Sequence, residues 1–209
     1  IINNYTSRDQ IALVNRERPE VAIESSIIVA AIANKKKMNT IIISDNLYKD
    51  INKIYRSFGF NNFFIVSGLL NYVFSFFNTF LSIVSTIRGI YQINFFIFEK
   101  FINKFYLNNI LIGDLIYDSY IRYNSNFISP KIDYKLVKII FFSSFKTYRL
   151  ENFLKKNNIK YLFVSTDCYA TNEGIGIRLA IKNNIKVFKI NAVANRMYMV
   201  EAKKFMQSH

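Results

Sequence analysis

The chain has 209 residues, 51% of them hydrophobic, and carries 28 Lys and Arg against 14 Asp and Glu, a net charge of +14. That much apolar content excludes a disordered chain and is enough for one core, or one and a part. A single cysteine (Cys168) and a single histidine (His209, the last residue) exclude a disulfide scaffold and a cysteine-based zinc site within these residues, and argue against histidine chemistry, so any general base is a carboxylate, a lysine or a tyrosine.

The positive charge suits an anionic partner, but Ile, Asn, Lys, Phe and Tyr dominate the chain as an A+T-rich coding bias would make them. The lysines are scattered and no nucleic-acid signature is legible, so nucleic acid is not expected as a partner. The chain opens on Ile1 with no initiator Met, in what reads as mid-domain sequence, and a longer two-domain protein is expected around it.

From the N-terminus, Val21 to Asn34 reads as a helix, small and aliphatic all round, followed by Lys35 to Lys37. Thr40 to Asp45 (TIIISD) is a short β-branched run with a turn signal, which reads as a buried strand. Leu47 to Phe58 reads as an amphipathic helix ended by Gly59, and Asn62 to Val66 as a candidate strand.

The 31 residues from Ser57 to Ile87 carry no charge, which is long enough to span a bilayer. Yet Asn71, Ser75, Asn78, Ser82 and Ser85 recur at helical spacing and form a polar seam. The seam predicts a helix over Leu69 to Ile87 with Asn71, Asn78 and Ser82 toward solvent or a cleft, and Phe74, Phe77 and Leu81 buried. Such a helix lies half-buried in a soluble domain or touches an anionic membrane peripherally; a true span is the alternative. Further helical pieces are expected as far as Phe105, and Gly113 then breaks the chain.

Beyond it, Asp133 to Asn157 reads as a helix whose basic end, Lys155 and Lys156, suits its dipole. Lys160 to Ser165 is a strand, Thr166 to Gly174 a polar loop, Ile175 to Lys182 a helix and Ile185 to Ile190 a strand, a βαβ order that implies parallel pairing. The whole reads as α/β, a Rossmann-like parallel sheet flanked by helices in a single domain. With two prolines and no Ser- or Gly-rich linker, no internal boundary is legible.

Two stretches offer chemistry. In LIGDLIYDSYIRY (Leu111 to Tyr123), Asp114, Asp118 and Arg122 fall four apart on one face of a helix that starts at Gly113. Asp114 suits the first turn, Asp118 and Arg122 suit an i,i+4 pair, and Tyr117 and Tyr120 border that face, to stack on a sugar or simply to pack. In VSTDCYATNEGIGIRLA (Val164 to Ala180), a strand delivers a polar loop with Asp167, Tyr169 and Glu173, and Gly174 opens a helix bearing Arg178. Ligands of open α/β sheets bind outside the carboxyl ends of strands, and the backbone N–H groups of such a helix favour an anion. The Gly174-Ile175-Gly176 spacing lacks the third glycine of a dinucleotide fingerprint, and no P-loop lysine follows.

The block from Gly113 to Arg122 resembles one in bacterial surface-carbohydrate and capsular-polysaccharide biosynthesis proteins, which look like GT-B-type glycosyltransferases. Tyr55 to Gly59, Tyr161 to Ser165, Tyr169, Gly174 and Arg178-Leu179-Ala180 fit the same pattern, so the resemblance covers Ile41 to Ile190. It implies the N-terminal, acceptor-side half of a cytoplasmic enzyme, at the inner face of the plasma membrane, acting on a carbohydrate or lipid-linked acceptor. It also implies a nucleotide-sugar donor held by the other half, and no cofactor or metal in this segment. Asp118, with Asp114, is the expected catalytic carboxylate; Arg122, Tyr117, Tyr120, Asp167, Tyr169, Glu173, Gly174 and Arg178 are the expected substrate contacts, and the loop and the charged helix face are expected to share one pocket. The alternatives are a non-enzymatic α/β module that binds a nucleotide or a partner, and a membrane-embedded assembly component.

Overall fold

The computed structural model describes residues 9–14, 18–45, 49–67, 69–95, 98–123, 132–164, 173–193 and 196–201. The chain forms two compact units, one of Ile1–Gly68, Leu154–Thr166 and Ala180–His209, the other of Leu69–Phe153 and Asp167–Leu179. Two of the crossings fall inside helices, which is why no Pro- or Gly-rich linker marks them in the sequence.

The first unit holds a six-stranded sheet. Its strands are β1 (Gln10–Val14), β2 (Asn39–Ser44), β3 (Asn62–Ile65), β6 (Ile159–Val164), β7 (Lys186–Val193) and β8 (Arg196–Glu201), in the order β3-β2-β1-β6-β7-β8. The first five in that order run parallel, and β8 returns antiparallel on β7. This is the Rossmann-like sheet expected from TIIIS, KYLFV and KVFKI, runs apolar enough to be covered on both faces.

The central strand, β1, is a correction to the sequence reading, which assigned no element to QIALV. Ile11, Ala12 and Leu13 are fully buried between β2 and β6. The run holds Gln, Ala and Leu, which suit a helix as well as a strand, and lacks the β-branched and aromatic enrichment of TIIIS, KYLFV and KVFKI.

Helices α1 (Pro19–Lys36) and α2 (Lys49–Ser57) pack on one face. Ala22, Val29 and Ala33 of α1 and Ile51 and Tyr55 of α2 join Ile11, Leu13, Ile42, Phe163 and Ile190 of the strands in one apolar cluster. Pro19 starts α1, and Lys37 ends it in the left-handed region at φ 53°. Gly59, at φ 85°, ends α2 as its position implies, with Phe60 N–H donating to the Tyr55 carbonyl at 3.1 Å.

The second unit is helical: α3 (Leu69–Phe74), α4 (Phe76–Phe95), α5 (Phe98–Lys104), a small hairpin of β4 (Tyr106–Leu107) and β5 (Ile110–Leu111), α6 (Gly113–Tyr123), most of α7 (Tyr134–Lys156) and the start of α8 (Gly174–Lys182). The hairpin turns on Asn108 and Asn109, both at positive φ, the backbone of a tight two-residue loop. Phe101, Phe105, Ile112, Leu115, Ile116, Tyr120, Ile140 and Phe145 are buried in this unit.

The expected single helix over Leu69 to Ile87 is two helices, with Ser82 and Phe77 turned the opposite way from the expectation and Asn71, Asn78 and Leu81 each half-buried. Ser82 is fully buried, while Phe77 is 69% exposed. The seam turns inward because α7 supplies its partners. Arg149 donates to Ser75 Oγ and to Asn71 Oδ1, each at 2.9 Å, Asn152 donates to Asn78 at 3.1 Å, and Ser85 shares a 2.7 Å hydrogen bond with Tyr148. Ser82 and Thr86 bond back to the helix carbonyls of Asn78 and Ser82, so their burial strands no hydroxyl. The side chain of Phe74 lies outside the described residues. Among the described residues, no helix is long and apolar enough to cross a membrane.

Gly113 is where α6 meets the end of α5. A Cβ there would lie 2.2 Å from the Phe101 carbonyl oxygen and 2.7 Å from that of Ile102. Backbone cannot yield as a side chain tip does, so Gly113→Ala should cost about 3 kcal/mol in urea unfolding. Gly176→Ala is the control: its Cβ would meet only Leu150 Cδ1 at 3.9 Å, and helix propensity favours a gain of about 0.5 kcal/mol. Equal effects of the two would contradict the close approach.

Candidate functional site

The hairpin, Gly113 and the first turn of α6 together present one carbonyl and one carboxylate to a single arginine. Ile112 and Gly113 N–H groups both donate to the Phe105 carbonyl, at 3.0 and 3.2 Å, which ties the chain to the end of α5. The next residue, Asp114, then projects from the N-terminal turn of α6, where the helix dipole favours an anion. Arg178, on α8, grips it with both terminal nitrogens: Nη1 donates to Oδ1 at 2.6 Å and Nη2 to Oδ2 at 2.5 Å. Nη1 also donates to the Leu111 carbonyl.

This two-point pairing of planar groups joins the two sequence blocks, 64 positions apart, in one unit. The side chains are 18% exposed for Arg178 and 32% for Asp114, so the pair is neither fully screened nor fully desolvated. Arg178 is therefore placed by the structure as a clamp on the block around Asp114.

The other expected site residues divide. Asp118 is half-buried one turn beyond Asp114, and Arg122 is exposed at the end of α6. Tyr117 packs with its ring centroid 5.5 Å from that of Phe98. Tyr120 is 1% exposed and donates to Asp133 Oδ2 at 3.0 Å; the other oxygen of Asp133 caps α7 by accepting from Leu136 N–H at 2.8 Å. Tyr120 thus sits in the core as a link between α6 and α7 and is covered from any sugar ring. Glu173 is buried just before α8, and Gly174 is that helix's first residue. Asp167 and Tyr169 lie outside the described residues, as does most of the loop expected to share a pocket with α6.

The sheet unit carries two features of its own. The strand order reverses between β1 and β6, which lie side by side with Leu13 opposite Phe163. At such a reversal the carboxyl ends of the strands form the customary ligand crevice.

The second feature escaped the sequence reading. A groove of about 560 Å³ is lined by Ile32, Lys35 and Lys36 of α1, Tyr161 and Phe163 of β6, and Lys186 and Phe188 of β7. Alternation puts Tyr161 and Phe163, and Lys186 and Phe188, on one face of their strands, and the register sets Tyr161 beside Lys186 and Phe163 beside Phe188. Lys36 Nζ lies 5.2 Å from the Tyr161 ring centroid, within cation–π range. Because β7 turns straight back into β8, no crossover helix is laid between them. The available signal was the spacing of the aromatics by two within strands, together with the Lys35 to Lys37 run.

Among the described residues no cluster of His, Cys, Asp and Glu could hold a metal ion. No family model, no curated protein and no solved structure matches the chain.

The clamp makes a quantitative demand. A double-mutant cycle of Asp114→Asn and Arg178→Gln in urea unfolding should return a coupling of about 1–3 kcal/mol, the range for charge-assisted hydrogen bonds with partial burial. Additive effects would show that the two residues do not hold each other.

Proposed function

We propose that the chain is the acceptor-side part of a glycosyl-transfer protein of bacterial surface polysaccharide assembly. The observation that carries the reading is the Arg178–Asp114 clamp. It unites the two blocks on which the resemblance to GT-B-type glycosyltransferases rests, of which the first, Gly113 to Arg122, is the more specific. The parallel sheet with its order reversal at β1 and β6 is of the kind such proteins use.

In this reading Asp114 and Arg178 position α6, and Asp118 is the general base. Asp118 takes the proton of an acceptor hydroxyl as that oxygen attacks the anomeric carbon of a nucleotide-sugar. The bond to the diphosphate breaks, and the nucleoside diphosphate leaves with the electron pair. Arg122, exposed on the same helix, is the group available to steer an anionic acceptor such as a lipid-linked phosphate.

A second reading, a nucleotide-binding module without chemistry, is favoured by the groove over Tyr161 and Phe188. An aromatic floor with three lysines at its margin suits a base and its phosphates.

One set of measurements separates them. In a transfer assay with a lipid-linked acceptor, Asp118→Asn should lower turnover about 100-fold while stability stays within about 1 kcal/mol. Near-normal transfer by this variant would remove Asp118 from the chemistry. Absence of transfer, with calorimetric binding of a nucleoside diphosphate that Lys36→Gln and Lys186→Gln abolish, would establish the second reading instead.

A further inference from the structure

The outer face of α4 is apolar, and it stands independently of the sugar-transfer reading. Phe76, Phe77, Phe80, Ile83, Val84 and Ile87 are all between 47% and 77% exposed. At 100° per residue these six positions fall within an arc of about 120°, the width of a face that is normally buried. The helix cannot roll to hide them, because Asn78, Ser82 and Ser85 on the opposite side are engaged with α7 or with the helix's own backbone. Val73 of α3, 68% exposed, extends the same kind of surface.

Two observations indicate what covers this face. The first is charge. From Ile51 to Phe98 the chain contains no Asp or Glu. The one charge on α4 is Arg88, exposed and one turn beyond Val84 on the border of the stripe. On α7, Lys138 Nζ lies 5.8 Å from the ring of exposed Phe142, which in turn is 5.8 Å from Tyr72, the neighbour of Val73. The surroundings therefore complement an anionic surface. The second is the lack of hydrogen-bonding groups. A protein interface of ordinary make-up carries about one hydrogen bond per 100–200 Å². None of the six side chains of the stripe carries a polar atom, and exposed Tyr91 stands at its end.

We propose that α4 is an interfacial helix that seats its phenylalanine stripe in the surface of an anionic lipid bilayer, lying along the membrane and not across it. Arg88 lies at the headgroup level and the rings of Phe76, Phe77 and Phe80 enter the acyl boundary.

The test is flotation of the full chain with vesicles of phosphatidylcholine alone, or of phosphatidylcholine and phosphatidylglycerol in equal parts. The native protein should float with the mixed vesicles and more weakly with the neutral ones. Phe77→Gln with Phe80→Gln should weaken binding to both by at least about 100-fold, since two rings lose their burial in the acyl boundary. These side chains are exposed, so the variant should keep its unfolding midpoint. Arg88→Gln should weaken binding to mixed vesicles about fivefold and leave neutral vesicles unaffected. The proposal fails if the native protein floats with neither vesicle, or if the Phe77 and Phe80 variant floats as well as the native protein. It also fails if sedimentation shows a dimer that this variant dissolves and lipid does not, for the stripe would then be covered by a second copy.

Discussion

The guanidinium of Arg149 sets the arrangement of the helical unit. Burial lowers its pKa, against an opposing influence from Tyr72, which is the signature of a charge held partly away from water. A charge so placed is costly unless its donors are met. Asn71 and Ser75 meet two of them, from α3 and from the residue that links α3 to α4. Once they do, the roll of both helices follows. Asn78 reaches Asn152, Ser85 reaches Tyr148, and Gly89 lies against Ile140, where a Cβ would come within 3.3 Å. Phe76, Phe77 and Phe80 then have nowhere to point but outward. The exposed stripe is thus a consequence of how α7 is satisfied.

Arg178 plays the corresponding part for α6. It spans from α8 to a carbonyl in the hairpin and a carboxylate in the helix, and so holds the turn that Gly113 makes possible. Tyr120 and Asp133 extend the same logic from α6 to α7. A unit built from many aromatics and few carboxylates uses its few charged groups as fixed points, and apolar packing fills the space between them. The half-buried Asp118 sits inside this frame, one turn from the clamp.

The parallel sheet was legible because TIIIS, KYLFV and KVFKI carry the β-branched and aromatic residues that such strands use, with TIIIS buried on both faces. The central QIALV was not, because Gln, Ala and Leu suit a helix as well as a strand. The ends of α2 and α8 were legible from Gly59 and from Asn183 and Asn184, residues suited to positive φ or to a turn. The reversal of α4 was hidden for a different reason. A polar seam reads as a solvated face when only its own helix is in view, and its partners lie 63 to 78 positions further along the chain. The place of Asp114 in the first turn of α6 was legible from Gly113, but its partner, Arg178, lies 64 positions away and was not. Long-range pairing of polar groups leaves no periodic trace, and it decided both the helix faces and the candidate site.

Thiol accessibility measures the inward turn of the polar seam directly. In a Cys168→Ser background, Phe80→Cys and Ser82→Cys place single thiols two residues apart on opposite sides of α4. The thiol at position 80 should react with a maleimide at the rate of an unhindered thiol, and the one at position 82 should be protected on the order of 100-fold until urea unfolds the chain. Fast reaction at position 82 with protection at position 80 would contradict the inward turn.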